Sequence, residues 1–254
     1  MKLLFAMSMF AATALCVERT PRDLEGVGIE EKLGQKIDLD LKFSNENGRI
    51  VRLGDYFNQG RPVVITMVYY SCPMLCNMVL NGFTTLLRDL PWTPGKEFDV
   101  LTISIDPRET NELAAAKKQS YLTTYDRPAP GWRFFTDFGG TSKQLAEQLG
   151  FHYKFNDRMG QYAHGAGFFV LTPDGRISRY VYGIKYKPRD FRLAVTEAAD
   201  SKVGSSFDKF LLYCFRYDAH SNGYVVYAMN LMRAGSAAGA LALSAMIWKL
   251  RMAE

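Results

Sequence analysis

Residues 63–70 form an apolar run that ends directly before Cys72-Pro73-Met74-Leu75-Cys76. The run reads as a buried strand. A helix is expected over residues 74–87, where Leu75, Val79, Phe83 and Leu86 share one face. Two thiols four residues apart are then expected one helical turn from each other, on one face. The helix N-terminus carries partial positive charge, which favours thiolate over thiol. Thiolate is the form that attacks disulfides and the form that binds soft metals. The centre of the chain is therefore expected to be a strand–cysteine–helix unit built for thiol or metal chemistry.

The surrounding pattern says what that unit is embedded in. Residues 37–43 alternate as a strand should, residues 45–49 have turn composition, and residues 50–53 suit a return strand. Further strands are expected at 98–105, 132–135, 167–171 and 177–182, the last two flanking the tight turn Pro173-Asp174-Gly175. Helices are expected at 110–125, at 142–149 with Gly150 just past the end, and at 188–199. This alternation predicts an α/β domain with a central mixed sheet and flanking helices, in a thioredoxin-like arrangement.

Composition narrows the function class. The net charge of +5 is dispersed, with no basic cluster interleaved with aromatics, so nucleic acid is not an expected partner. Only four cysteines are present among 254 residues, which suits one reactive site better than a disulfide framework.

Both ends point to a membrane. Lys2, the apolar residues 3–11 and Ala12-Thr13-Ala14 read as a signal peptide, expected over residues 1–17. Lipid attachment at Cys16 is the rival reading. A polar linker is expected over 18–29, the folded domain over 30–203 and a juxtamembrane segment over 204–223. Residues 224–248 are mostly apolar and as a helix would reach ~37 Å, more than the ~30 Å hydrocarbon core. They are expected to form a C-terminal transmembrane helix with Arg233 near the outer interface. Lys249 and Arg251 then fall in a cytoplasmic tail, 249–254, and the domain faces the periplasm or another extracytoplasmic space. Gly235 and Gly239 form a GxxxG pair within this segment.

The extra residue in CxxxC, relative to CxxC, does not forbid a disulfide and widens the bite for a metal. A metal needs further ligands, and only His152, His164 and His220 offer imidazole. In a thioredoxin-like sheet the loop that carries His164, just before the strand at 167–171, faces the start of the first helix. A Cys2His set is soft and suits Cu(I), while imidazole also admits Cu(II). Zinc remains chemically possible. Met74 offers a thioether, although methionine more often fills gaps. Asp106 suits a turn at a strand end, and Tyr69, Tyr70, Phe134, Phe135, Phe168 and Phe169 suit the core.

Three motifs together carry a resemblance: Cys72-Pro73-Met74-Leu75-Cys76, Ser104-Ile105-Asp106-Pro107-Arg108-Glu109-Thr110, and His164 ahead of Phe169-Val170-Leu171-Thr172-Pro173-Asp174-Gly175. In order and spacing they resemble the Sco/SenC family, over about residues 30–200. The resemblance implies a thioredoxin-like copper chaperone for cytochrome c oxidase assembly, with Cys72, Cys76 and His164 as copper ligands. Residues 211–218 with the apolar segment after them resemble a bacterial, membrane-tethered branch. Two positions depart from the usual pattern: Asn77 stands where many members have proline, and Ala163 where many have aspartate.

The function expected from this resemblance is a metallochaperone tethered in the cytoplasmic membrane. It would pass copper to the binuclear copper centre of the oxidase's copper-accepting subunit. Copper-donating or thiol-reducing proteins are its other expected partners. The rival is a thiol–disulfide oxidoreductase acting on the oxidase or other exported cysteines, with Cys72 attacking and Cys76 resolving. A peroxidase of the same fold lacks an identifiable peroxide-activating set, and a signalling role for the copper-loaded state stays open. Ligand exchange with a partner leads to the expectation of an exposed site.

Overall fold

The computed structural model describes residues 26–72, 74–199, 215–218 and 223–226. The elements run β1 (Gly28–Ile29), β2 (Lys42–Asn45), β3 (Ile50–Arg52), a 3-10 turn (Leu53–Tyr56), β4 (Val63–Val68), α1 (Leu75–Arg88), β5 (Asp99–Ser104) and α2 (Asn111–Tyr125). They continue with β6 (Trp132–Thr136), α3 (Thr141–Gln148), β7 (Phe151–His152), β8 (Lys154–Asn156), β9 (Gln161–Ala163), β10 (Gly167–Leu171), β11 (Ile177–Tyr182), α4 (Pro188–Ala198), β12 (Phe215–Asp218) and β13 (Gly223–Val226).

Seven strands form one sheet in the order β11-β10-β4-β5-β6-β2-β3. The β4–β5 and β5–β6 pairs are parallel, and β10 joins β4 antiparallel. The sheet is therefore mixed and flanked by helices, the thioredoxin-like arrangement anticipated from the alternation. All six residues of β4 and of β5 are buried, as expected for central strands covered on both faces. Each fully buried Val, Ile or Met there contributes ~1.5–3 kcal/mol relative to exposure. Phe83 of α1, Phe168 of β10 and Phe191 of α4 meet with ring centroids 5.0–6.1 Å apart, joining two helices to the sheet. At Gly82, α1 approaches the chain closely: a Cβ there would lie 2.0 Å from the Ile184 carbonyl oxygen. Thr110 caps α2 by accepting from Leu113 N–H, and Asp126 ends it in the left-handed region at φ 56°.

Several expectations shift. Residues 37–43 alternate in burial, but the strand begins only at Lys42. The Asp38 carboxylate accepts the Asp40 N–H at 2.9 Å, a local turn that breaks the ladder, while Ile37 N–H bonds to Gly175 O instead. The return strand stops at Arg52, because Leu53 opens the 3-10 turn. Residues 28–29, at the end of the anticipated linker, pair with β7. The β8–β9 hairpin was not anticipated; its signal was Asn156-Asp157-Arg158-Met159-Gly160 between Phe155 and Tyr162.

The signal peptide, Cys16, Cys214, His220 and nearly all of the anticipated span lie outside the described residues; its first three residues, 224–226, belong to β13. Among the described residues no helix is long and apolar enough to cross a membrane.

Candidate functional site

α1 begins at Leu75, with Met74 as its N-cap. Cys76 is therefore in the first turn, while Cys72 precedes the helix. This corrects the picture of two thiols on one helical face. Cys72 lies in the loop after β4, and its Sγ accepts the Cys76 N–H at 3.3 Å. That N–H is one of the helix-start donors left without a partner in the helix, so the sulfur acts as a cap. Hydrogen bonding from the Cys76 thiol is the largest cause that lowers the Cys72 pKa, to about 4, against the opposing effect of burial. The Tyr69 hydroxyl and the backbone at Cys76 and Met74 lower it further. Cys76 moves the other way: burial, then its bond to Cys72, pushes its pKa far up. The site thus holds one thiolate and one thiol, and both cysteines are free.

His164 arrives from the far side of the chain for a topological reason. Because β10 runs antiparallel to β4, the start of β10 lies at the end of β4, where the cysteines are. His164 sits between β9 and β10 with its Nε2 2.9 Å from Cys76 Sγ. Its Nδ1 lies 2.8 Å from the Gly165 carbonyl oxygen, which can only accept, so Nδ1 carries the proton. Nε2 is the nitrogen turned to the Cys76 sulfur. Among the described residues no three His, Cys, Asp or Glu side chains are yet gathered as a metal-holding group. The arrangement is an imidazole and a thiol in contact, with a thiolate hydrogen-bonded beside them.

The three side chains are buried rather than exposed: Cys72 is 5%, Cys76 1% and His164 8% accessible. Burial accompanies an aromatic wall. The Tyr69 and Phe151 rings lie 6.1 and 5.8 Å from the His164 ring, and Tyr162 packs on Tyr69 at 5.4 Å. Met74, by contrast, is 67% accessible on the rim.

Tyr69 is more than the core residue its sequence context suggested. Its N–H points at Cys76 Sγ at 3.4 Å, its hydroxyl helps to lower the Cys72 pKa, and its ring edges against His164. Burial first, then the bond and charge of Cys72, raise its own pKa well above the ordinary phenol value. Apolar periodicity cannot distinguish such a tyrosine from a packed one.

Asn77 replaces the usual proline with a polar brace. Its Nδ2 donates to the Cys72 carbonyl oxygen at 2.9 Å, and its Oδ1 accepts from Lys117 Nζ at 3.3 Å and Tyr121 OH at 3.4 Å. Ala163 ends β9, paired with Lys154. Asp106 turns the chain at the end of β5, as its position suggested. Its carboxylate accepts from the Arg108 N–H at 3.0 Å and from the guanidinium at 2.9 and 2.7 Å. Burial pulls the Asp106 pKa up, but Arg108's hydrogen bonds and charge prevail and hold it below the ordinary value. His152 meets Glu30 at 3.2 Å in β7 and not the cysteines.

Comparison with known proteins agrees with this architecture. A Bacillus subtilis (strain 168) SCO1 protein homolog is 20% identical over 178 residues, covering 69% of this chain and 89% of that protein. A structure from Aquifex aeolicus VF5 aligns with a TM-score of 0.59 at 22% identity, over 67% of this chain and 96% of its own. BsSco, described as a member of the Sco family of cytochrome c oxidase assembly proteins with a disulfide switch, aligns at 0.54 with 19% identity, over 69% and 99%. These structures share the fold. The SCO1/SenC family model matches residues 30–198, well over half of the chain, and the match takes in both cysteines, the Asp106–Glu109 turn and His164. The chain belongs to the SCO1/SenC family.

Proposed function

We propose that this protein is a membrane-tethered copper metallochaperone. It takes up one copper ion as cargo through Cys72 Sγ, Cys76 Sγ and His164 Nε2 and delivers it to the binuclear copper centre of cytochrome c oxidase. The observation that carries this reading is the Cys76–His164 contact at 2.9 Å with Nδ1 tied to Gly165 O. Cys76 Sγ meets the imidazole directly, and the Cys72 sulfur is tied to the Cys76 N–H at 3.3 Å. A soft cation among them meets three donors of suitable softness. Cys72, with its pKa lowered to about 4, meets the ion as a thiolate, whereas Cys76 must give up its proton on uptake. Release to an acceptor proceeds by thiolate exchange, and the pathway opens at Cys72, whose neighbours Ser71 and Met74 are exposed.

Family membership supports the oxidase as the destination, since BsSco is described as an assembly protein for it. Because 224–226 belong to β13, the tether is proposed over the apolar residues 227–248 with Lys249 and Arg251 after them, a charge placement that supports an extracytoplasmic domain. A reporter fused after Glu254 is expected to report cytoplasm; an exported signal overturns the tether.

The test of the cargo is copper titration of the reduced full-length chain in detergent, followed by absorption and electron paramagnetic resonance. One copper per chain is expected, with a thiolate-to-Cu(II) band that Cys76→Ala removes. No stoichiometric binding of either oxidation state overturns the proposal.

A second reading has its own observation, the split between the Cys72 thiolate and the Cys76 thiol. Cys72 would attack a target disulfide and form a mixed disulfide with it. Cys76, after losing its proton, would displace the target as a dithiol and leave a Cys72–Cys76 disulfide. His164 Nε2 stands where a base would take that proton, so its contact with Cys76 serves both readings, and membership of the SCO1/SenC family favours the copper role.

A further inference from the structure

Glu109 lies in the loop between β5 and α2 and has no place in either set of ligands or nucleophiles. Its carboxylate nonetheless accepts four hydrogen bonds. Oε2 accepts the Tyr70 N–H at 2.8 Å and the Ser104 hydroxyl at 2.6 Å. Oε1 accepts the Ser71 N–H and the Ser71 hydroxyl, both at 2.7 Å. Tyr70 and Ser71 are the two residues immediately before Cys72. Their N–H groups lie beyond the end of β4, where the ladder no longer supplies partners. An ionised carboxylate only accepts and is the side chain that suits four converging donors. Ser104 closes the frame: while donating to Glu109, its Oγ accepts the Asp106 N–H at 3.1 Å. The end of β5 and the approach to Cys72 are thereby locked to each other.

We propose that Glu109 is the positioning residue of Cys72, holding the Tyr70–Ser71 backbone so that the Cys72 sulfur stays within reach of Cys76 and His164. This rests on the reading of Cys72 as the working thiolate. Glutamine in place of Glu109 turns an NH2 group toward two donors, so the frame opens although the shape is kept.

The test measures the Cys72–Cys76 couple in the full-length chain by equilibration with glutathione. The protein dithiol loses two electrons and two protons as its S–S bond forms, and glutathione disulfide becomes two glutathione thiols. Glu109→Gln is expected to lower the equilibrium constant for disulfide formation at least about tenfold, ~30 mV for this two-electron couple. It is also expected to weaken copper binding in the same preparation. Ser71→Ala removes a single donor and is expected to move the constant the same way by less, so it decides the matter if Glu109→Gln does not fold. Glu112→Gln, also near the start of α2, is expected to leave the constant at the wild-type value. A lowered unfolding midpoint with an unchanged constant in Glu109→Gln and Ser71→Ala overturns the proposal. If the wild-type chain takes up no copper but Glu109→Gln still shifts the glutathione constant, the copper reading fails and the positioning role stands.

Discussion

His164 Nε2 and Cys76 Sγ stand 2.9 Å apart across 88 residues of sequence. The contact exists because β10 returns antiparallel beside β4 and brings the loop before it to the start of α1. The site is thus a product of strand order: a local cysteine motif is completed by an imidazole from a distant loop.

Removing that imidazole separates the two chemistries. His164→Ala is expected to abolish tight copper binding while leaving Cys72 and Cys76 able to cycle between dithiol and disulfide. Copper titration alongside thiol counting after oxidation and reduction checks both. Unaltered copper affinity in the variant shows that His164 is not a ligand.

The two thiols are expected to label at very different pH. Cys72, lowered to about 4, is expected to alkylate with a midpoint near that pH, whereas Cys76 stays protected through the ordinary thiol range. The linkage follows from the signs. A depressed Cys72 stabilises the fold fully above the unfolded thiol pKa of ~8.5, and that contribution is lost as pH falls toward about 4. A raised Cys76 stabilises fully below ~8.5, and its contribution is lost as pH rises above it. Cys72→Ala is therefore expected to flatten the rise of stability with pH on the acid side, as read from urea unfolding of the reduced chain.

Tyr69→Phe keeps the aromatic wall and deletes the hydroxyl that helps to hold the Cys72 pKa down. A hydrogen bond to a charged group contributes ~1.5–3 kcal/mol. The alkylation midpoint of Cys72 is accordingly expected to rise by about 1–2 pH units. A midpoint that does not move means that the phenol leaves the thiolate unaffected.

Glu46 tests the frame away from the site. It is 7% accessible, pairs with Lys118 of α2 and Arg133 of β6, and accepts the Phe134 N–H at 3.2 Å. Glu46→Ala leaves a largely buried Lys118 ammonium without its carboxylate. The loss is expected to be ~3–5 kcal/mol in equilibrium unfolding. A change below ~1 kcal/mol in denaturant titration shows that solvent satisfies Lys118 instead.

Much of this architecture was legible because it is written in local patterns. The strand read at 63–70 and the helix read at 74–87 follow from apolar periodicity and appear as Val63–Val68 and Leu75–Arg88, and Gly150 follows α3 in the left-handed region as read. Where a short polar side chain competed with the ladder, as at Asp38, alternation alone misplaced the strand. The short β1–β7 and β8–β9 pairs leave little trace in the sequence, because two or three residues carry too little periodicity to stand out.

By itself the sequence determined the strand–cysteine–helix unit, the alternation that makes the sheet mixed, and the CxxxC spacing that follows the strand. Those features depend on residue type and spacing along the chain. Tertiary structure alone decided that Cys72 lies ahead of the helix and caps it, that the His164 Nε2 faces the Cys76 sulfur, and that Tyr69, Asn77 and Glu109 surround the pair. Each of these depends on hydrogen bonds and burial in the folded chain, much of it between segments far apart in sequence. Such contacts set proton positions and loop geometry, and no local pattern encodes them.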